Sequence, residues 1–246
     1  MQFQTDTGAY ERGRPEYPQK VIDCLSVSFP ILPNSTVLEI GSGTGKFTRL
    51  LLENGVNPIA LEPLEYMRKR FSQMFPNVEV IDGVAEAIPL PDQSVDHVIV
   101  AQAFHWFDAH KAMREIHRVL KPKGNLALVW NVQDRSVDWV EKLGQIVDEH
   151  EKGITQYRTS QWRNAFMAFK IFSPLQEVKF NHVHSSTPEM ILDRVASISF
   201  IAALPESEKK LVLKNVRNLI ESHPDIRAKT TIDFPYITDL FFCHKI

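Results

Sequence analysis

The chain predicts an open α/β sheet of seven mostly parallel strands, with helices on both faces and a helical cover inserted after strand five. Three observations carry that prediction. Short apolar runs alternate with amphipathic segments between Thr36 and Trp130, which is the pattern of strand and crossover helix. One run, Val37 to Ile40, breaks abruptly into Gly41-Ser42-Gly43-Thr44-Gly45 and resumes at Lys46 as KFTRLLLE, with Phe47, Leu50 and Leu51 at helical spacing. The runs also end in acidic, polar or aromatic clusters, at the strand ends where such a sheet holds small ligands.

Composition bounds the rest. At 246 residues and 43% hydrophobic content, the chain can bury a core as a single domain over 1–246. A formal charge of −2 leaves no basic footprint, so nucleic acid is not an expected partner. Cys24 and Cys243 are too few for a disulfide framework and read as buried free thiols in a reducing compartment. No apolar run approaches a membrane span and no secretion leader follows Met1, so a cytoplasmic protein without a membrane partner is expected. The nine histidines show no metal spacing: His182 and His184 stand two apart on a strand without a third ligand, and the expected metal complement is none.

In chain order, residues 1–20 lack periodicity and form an N-terminal arm. Its Tyr10, Arg14 and Tyr17 suit a lid over a small-molecule pocket, because a tyrosine ring is costly to leave in water. Val21 to Phe29 is a short helix closed by Pro30 and Pro33. After the glycine turn and its helix, Asn57 to Leu61 is the second strand and ends at Glu62. A carboxylate there, about twenty residues past the glycines, faces ribose hydroxyls in a doubly wound sheet. Pro63 to Phe75 is a helix and Asn77 to Ile81 the third strand. The loop Asp82 to Glu86 can read an adenine edge with its backbone amides. Val95 to Ala101 is the fourth strand and opens into Gln102-Ala103-Phe104-His105-Trp106-Phe107-Asp108, where the sheet should hold its substrate.

Ala109 to Leu120 is the fourth helix of the sheet, with Arg114 and Arg118 one turn apart on what reads as a solvated face. A turn at Lys121 to Gly124 leads to the fifth strand, Asn125 to Trp130. Helices follow at Val137 to His150 and Ser160 to Phe169, the second packing its aromatic residues inward. Gln176 to His184 alternates as a strand, and Pro188 to Ala203 and Pro205 to Ser222 are two more helices with proline near their starts. Segments of about 133–175 and 185–229 thus form the helical cover. Thr230 to Tyr236 and Asp239 to Ile246 make a final pair of runs, the last entering antiparallel beside the fifth strand.

The spacing Glu39-x-Gly41-x-Gly43-x-Gly45 is neither a dinucleotide fingerprint, since Lys46 stands where its third glycine belongs, nor a phosphate-binding P-loop. It resembles motif I of the class I S-adenosylmethionine (SAM)-dependent methyltransferases, whose fold is Rossmann-like. Three further stretches make the resemblance more specific: the Gly13-Arg14-Pro15-Glu16-Tyr17-Pro18 arm, G-x-A-E-x-x-P-x-x-D-x-S-x-D from Gly83 to Asp96, and Ala101-Gln102 followed by His105-Trp106-Phe107-Asp108. Together they are similar to the trans-aconitate methyltransferase-like small-molecule methyltransferases, best over residues 8 to 131. The resemblance implies that SAM is the cofactor and S-adenosylhomocysteine the product. It implies that Glu39, Gly41, Ser42, Gly43 and Gly45 cradle the methionine part, that Glu62 holds the ribose, that Val84, Ala85 and Glu86 flank the adenine, and that Gln102 lies near the sulfonium. Val84 departs from the pattern, since many relatives carry Asp, Ser or Thr there, so adenine recognition falls to backbone and apolar packing.

The expected chemistry is in-line attack by a small-molecule acceptor, a carboxylate or other oxygen nucleophile, on the SAM methyl group. A carboxylate needs no base. A hydroxyl or amine does, and His105 is then the candidate catalytic group. Arg14, Tyr10, Tyr17, Phe104 and Trp106 are the expected substrate and lid residues, Arg14 as a planar fork for an acidic group. The alternatives are a SAM-binding protein without turnover and, disfavoured by Lys46 and by the lack of a Tyr-x-x-x-Lys pair, a dinucleotide-dependent oxidoreductase.

Overall fold

The computed structural model describes residues 13–28, 31–32, 34–151 and 161–246. Its seven strands are β1 (Val37–Ile40), β2 (Ile59–Leu61), β3 (Val80–Ile81), β4 (Val95–Ala101), β5 (Leu120–Gln133), β6 (Gln176–Ser186) and β7 (Ile232–His244), in the order β3-β2-β1-β4-β5-β7-β6. β1 pairs in parallel with β2 and β4, and the parallel ladder continues to β3 on one side and β5 on the other. The Lys245 amide donates to Gly124 and that of Asp134 to Pro235, so β7 runs antiparallel to β5. The chain leaves β1 toward β2 and β3, then returns to β4 on the other flank. That reversal opens a crevice at the carboxyl ends of β1 and β4.

Burial explains why the central strands form where they do. All four residues of β1 are buried, as are six of the seven in β4, so continuous apolar runs sit between covered faces. Helices α1 (Lys20–Ser28) and α2 (Lys46–Glu53) lay Val21, Ile22, Leu25, Phe47, Leu50 and Leu51 into one core with Ile99, Val129, Leu240 and Phe242. Each such side chain contributes about 1.5–3 kcal/mol when fully removed from water. Helix α3 (Glu65–Met74) adds Phe71 to a smaller cluster with Ala60 and Val78. Helix α4 (Ala109–Val119) starts at an Asp108 cap that accepts the Lys111 amide and buries Ala112, Met113, Ile116 and Val119 on one stripe.

The chain divides into two compact units. One comprises Tyr17–Asn131, Thr155–Phe180 and Thr238–Ile246, including α6 (Gln161–Ala168); the other comprises the described part of Met1–Glu16 with Val132–Ile154 and Asn181–Ile237. In the second unit, α5 (Asp138–Asp148), α7 (Pro188–Ala196), α8 (Ser199–Ala202) and α9 (Glu206–Ser222) enclose a core of Trp139, Leu143, Ile191, Val195, Val212, Val216, Phe234 and Tyr236. Arg135 grips Asp148 with both terminal guanidinium nitrogens at 2.7 and 3.0 Å across the start and end of α5. Among the described residues no helix is long and apolar enough to cross a membrane.

Four expectations change. The helix expected over Pro188 to Ala203 is two helices: the Ser197 hydroxyl donates to the Arg194 carbonyl at 2.8 Å and Ile198 turns extended, an alternative to the helical bond that serine readily supplies. The final pair of runs is one strand, because Thr238 in its middle is buried with its hydroxyl donating to Asn131 Oδ1 at 2.6 Å. β5 begins at Leu120, before the expected turn, with an irregular register between the Val95 and His97 pairings. Nor are Arg114 and Arg118 a merely solvated face. Arg114 lies over the Phe169 ring, and Arg118 donates to the carbonyls of Ile88 and Leu90 and to Asp92 and Glu115, clamping the loop before β4. Cys24 is partly buried, Cys243 is buried, and both are free thiols.

Candidate active site

The crevice is bounded by the turn after β1. Gly41, Gly43 and Gly45 have φ of 71°, 57° and 90°, in the left-handed region that a side chain disfavours. A Cβ on Gly41 would stand 2.5 Å from that of Ala103, and one on Gly45 would stand 2.3 Å from the Phe75 ring. The backbone at Gly41 therefore touches the turn that follows β4. Within the glycine turn, Ser42 Oγ and Thr44 Oγ1 are buried and meet no hydrogen-bond partner among the described residues. Buried hydroxyls are normally satisfied, so this turn suits a polar ligand.

Two carboxylates lie under it. Glu62, just past β2 and buried, accepts the Gly43 amide on Oε2 at 3.0 Å and the Leu64 amide on Oε1 at 2.9 Å. A carboxylate accepts from about four directions, so two remain for vicinal hydroxyls. Burial pushes the Glu62 pKa up, against the pull of its two amide bonds and of Arg68. Arg68 itself donates to the Glu62 carbonyl at 2.8 Å and reaches Asp82 at 3.0 Å, tying the ends of β2 and β3 together. Glu39 is deeper, 1% exposed, and accepts the Thr48 hydroxyl at 2.5 Å. Burial pushes its pKa up to about 8; the Thr48 bond opposes the shift and the nearby Glu62 charge adds to it.

In the loop after β3, Ala85 is buried and Val84 is 43% exposed. Glu86 accepts the Asp108 amide at 2.7 Å, at the start of α4, so its carboxylate joins this loop to the turn after β4. That second turn begins at Gln102, a non-glycine residue with φ of 58°. Its amide donates to Val129 and its side-chain amide to the Asn131 carbonyl, both at 2.8 Å, which hold the unusual backbone in place. Phe104 is buried against Phe107, Trp162 and Phe166, so it is core to the turn. Trp106 is 58% exposed and lies against His105, ring centroids 5.0 Å apart. His105 Nδ1 accepts the indole N–H of Trp130 at 3.2 Å.

The structure thus brings Glu39, Gly41, Ser42, Gly43, Gly45, Glu62, Val84, Ala85, Glu86, Gln102, Phe104, His105 and Trp106 together at one end of the parallel strands, within one unit. Tyr17 belongs to the same unit and, half-buried, packs edge-on against Phe47, centroids 5.0 Å apart, at the margin of the core beside α1. Arg14 belongs to the other unit, where it donates to the Ser197 carbonyl at 3.4 Å. Tyr10 lies outside the described residues. Sequence reasoning missed Trp130, read only as the end of a strand, and Arg118. Apart from Glu115, one turn before Arg118, their hydrogen-bond partners named here are 25 or more residues away, and no local pattern announces such pairs.

A family profile described as a methyltransferase domain matches residues 38–128, which spans the glycine turn, Glu62 and both later loops. The chain is 38% identical to an uncharacterized methyltransferase-like protein of Schizosaccharomyces pombe, over 99% of this chain and 95% of that one. It is 36% identical to an uncharacterized methyltransferase of Mycobacterium tuberculosis, over 97% and 93%. In fold it is similar to a structure described as a type II methyltransferase from Anaeromyxobacter dehalogenans (TM-score 0.70, 21% identity, 94% of this chain and 97% of that one). It is similar as well to a methyltransferase structure assigned to an antibiotic biosynthesis pathway of Anabaena variabilis (TM-score 0.68, 22% identity, 93% and 98%).

Proposed function

The chain belongs to the SAM-dependent methyltransferases, and we propose that its acceptor is a small molecule methylated on a carboxylate or another oxygen. The observation that carries the reading is the meeting of the two turns at Gly41 and Ala103: a backbone cradle for the donor touches a turn that carries His105 and Trp106. When bound, SAM supplies a methyl group on a sulfonium, a good electrophile for an oxygen nucleophile. The residues have only to align, enclose and release.

In this reading Glu62 accepts from the ribose hydroxyls through its two remaining directions, and the bare backbone of Gly41, Gly43 and Gly45 lets the methionine part lie close. Ser42 and Thr44 hydroxyls find partners on the ligand. Glu39 sits below as a buried acceptor beneath the same turn. Val84 and Ala85 give the adenine an apolar edge. His105 and Trp106 face the acceptor. That residues 1–246 form a single domain belongs to the same proposal.

Calorimetric titration with SAM, S-adenosylhomocysteine and NAD tests the donor half. Both sulfur ligands should bind and NAD should not. Glu62→Ala should weaken SAM binding roughly ten- to a hundredfold, the worth of hydrogen bonds to a charged acceptor. NAD binding without SAM binding would sink the reading, and unchanged affinity in Glu62→Ala would remove Glu62 from it.

A further inference from the structure

We infer that Glu86 is a positioning residue: its carboxylate straps the loop after β3, where the adenine is received, to the turn after β4, where the acceptor is met, so that filling the loop firms the turn. The inference rests on the donor reading above and goes beyond it, since Glu86 then acts through Asp108 and not on the ligand. The strap is one bond, Glu86 Oε1 accepting the Asp108 amide at 2.7 Å, between residues 22 positions apart.

Helix α4 needs that carboxylate. Its N-cap Asp108 satisfies the Lys111 amide, but the amide of the cap itself requires an acceptor, which a glutamate or glutamine three positions on supplies in a capping box. Position 111 holds a lysine, whose ammonium has no lone pair and instead meets the Asp108 carboxylate at 3.1 Å. Glu86 therefore completes, from another loop, the cap that α4 cannot complete from its own sequence. A further carboxylate at this end of the helix also suits the helix dipole.

The same loop is held again toward the other end of α4. Glu115 accepts the Ile88 amide at 2.9 Å, and Arg118 donates to the carbonyls of Ile88 and Leu90, both at 2.8 Å. Fastened near both ends of one helix, residues 86–90 follow α4 as a body. The loop and the turn each border the donor crevice. Gly83 lies so close over the end of β2 that a Cβ there would stand 2.7 Å from the Leu61 side chain, next to Glu62, and the Phe107 ring is 3.9 Å from where a Gly41 Cβ would stand. Within the turn, the Trp106 amide donates to Ala103 at 2.9 Å and the Phe107 amide to Phe104 at 3.2 Å, which closes a single 3₁₀ turn. So short a turn has little stability of its own. Its far end is fixed by the Asp108 amide on Glu86.

Hydrogen exchange at the Trp106, Phe107 and Asp108 amides of the full chain tests this without turnover. Saturating 5′-methylthioadenosine, which carries adenine and ribose but no amino acid, should slow exchange at those amides about threefold to tenfold in the wild type, the worth of one hydrogen bond. In Glu86→Ala saturated with the same nucleoside the slowing should vanish, and in Glu86→Gln, which keeps an acceptor oxygen, most of it should remain. Adding Lys111→Glu to Glu86→Ala gives α4 a capping carboxylate of its own. That double variant should regain wild-type exchange in the free protein yet show no response to the nucleoside, which a merely structural cap would not produce, and it decides the matter should Glu86→Ala fail to fold. Slowing that persists in either variant lacking Glu86 overturns the inference. So does a loss of nucleoside affinity of more than about a hundredfold in both Glu86→Ala and Glu86→Gln, which would make Glu86 a donor contact. A wild type that does not bind the nucleoside strikes the donor reading and the inference together, whereas failure of the inference alone leaves wild-type binding intact.

Discussion

The turn after β1 and the turn after β4 leave neighbouring parallel strands at the same end of the sheet, yet one is made of backbone and the other of side chains. The first has glycine at each position of positive φ and offers a backbone that can be approached closely and two small hydroxyls. The second takes its positive φ at Gln102, and anchors that residue through Val129 and Asn131 so that Phe104, His105 and Trp106 follow in fixed positions. On the proposed reading the difference suits the two substrates. A donor common to many enzymes can be gripped by groups every chain possesses, whereas an acceptor must be told apart by side chains.

Breaking the backbone turn should have the largest effect. Gly41→Val puts a β-branched residue at φ of 71° and its Cβ 2.5 Å from Ala103. The strain and overlap come to about 3 kcal/mol, or more than a hundredfold in SAM affinity. Calorimetry on protein whose fold is checked by circular dichroism reads this, and wild-type affinity would show that the donor lies elsewhere. Beneath the same turn, Glu39→Gln should change the pH dependence of stability. Because the folded chain raises the Glu39 pKa to about 8 from 4.5, its contribution is fully present below about 4.5 and is lost as pH rises toward about 8. Thermal melts across that window should slope downward in the wild type and flatten in Glu39→Gln. Equal slopes would mean that Glu39 titrates normally. The smallest effect belongs to the side-chain turn: Trp106→Ala should raise the KM for the acceptor about three- to tenfold and leave the Kd for SAM unchanged. A matching loss of SAM affinity would erase the division of labour between the turns.

These two turns also show what a sequence can and cannot disclose. The glycine turn and β4, Val95–Ala101, were legible to the residue because a glycine cluster and a continuous apolar run are local signals of local constraints. Glu62 was legible for the same reason, at the end of a short apolar run. The union of Trp130 with His105 was not, since a tryptophan ending an apolar strand looks like core whichever group its N–H meets. Arg118 was hidden likewise: two of its partners are backbone carbonyls of a loop, which have no residue identity to read. β7 looked broken because Thr238 and Asp239 interrupt its apolar run, and only the Asn131 partner makes that polar position a strand interior. Tyr17 stands among prolines that show no face, and its contact with Phe47, thirty residues on, follows no local pattern.

The strand order has a consequence for how the chain comes off the ribosome. β6 is complete at Ser186, but its neighbour in the sheet is β7, which does not begin until Ile232, and β7 is also what covers the outer flank of β5. Throughout the synthesis of the intervening helices, both strands wait with unpaired backbone edges, the state in which nascent chains pair with one another. Residues 187–231 therefore set the length of a vulnerable interval as well as a structure. Slowing translation across them should increase co-translational capture by chaperones, and speeding it should reduce that capture.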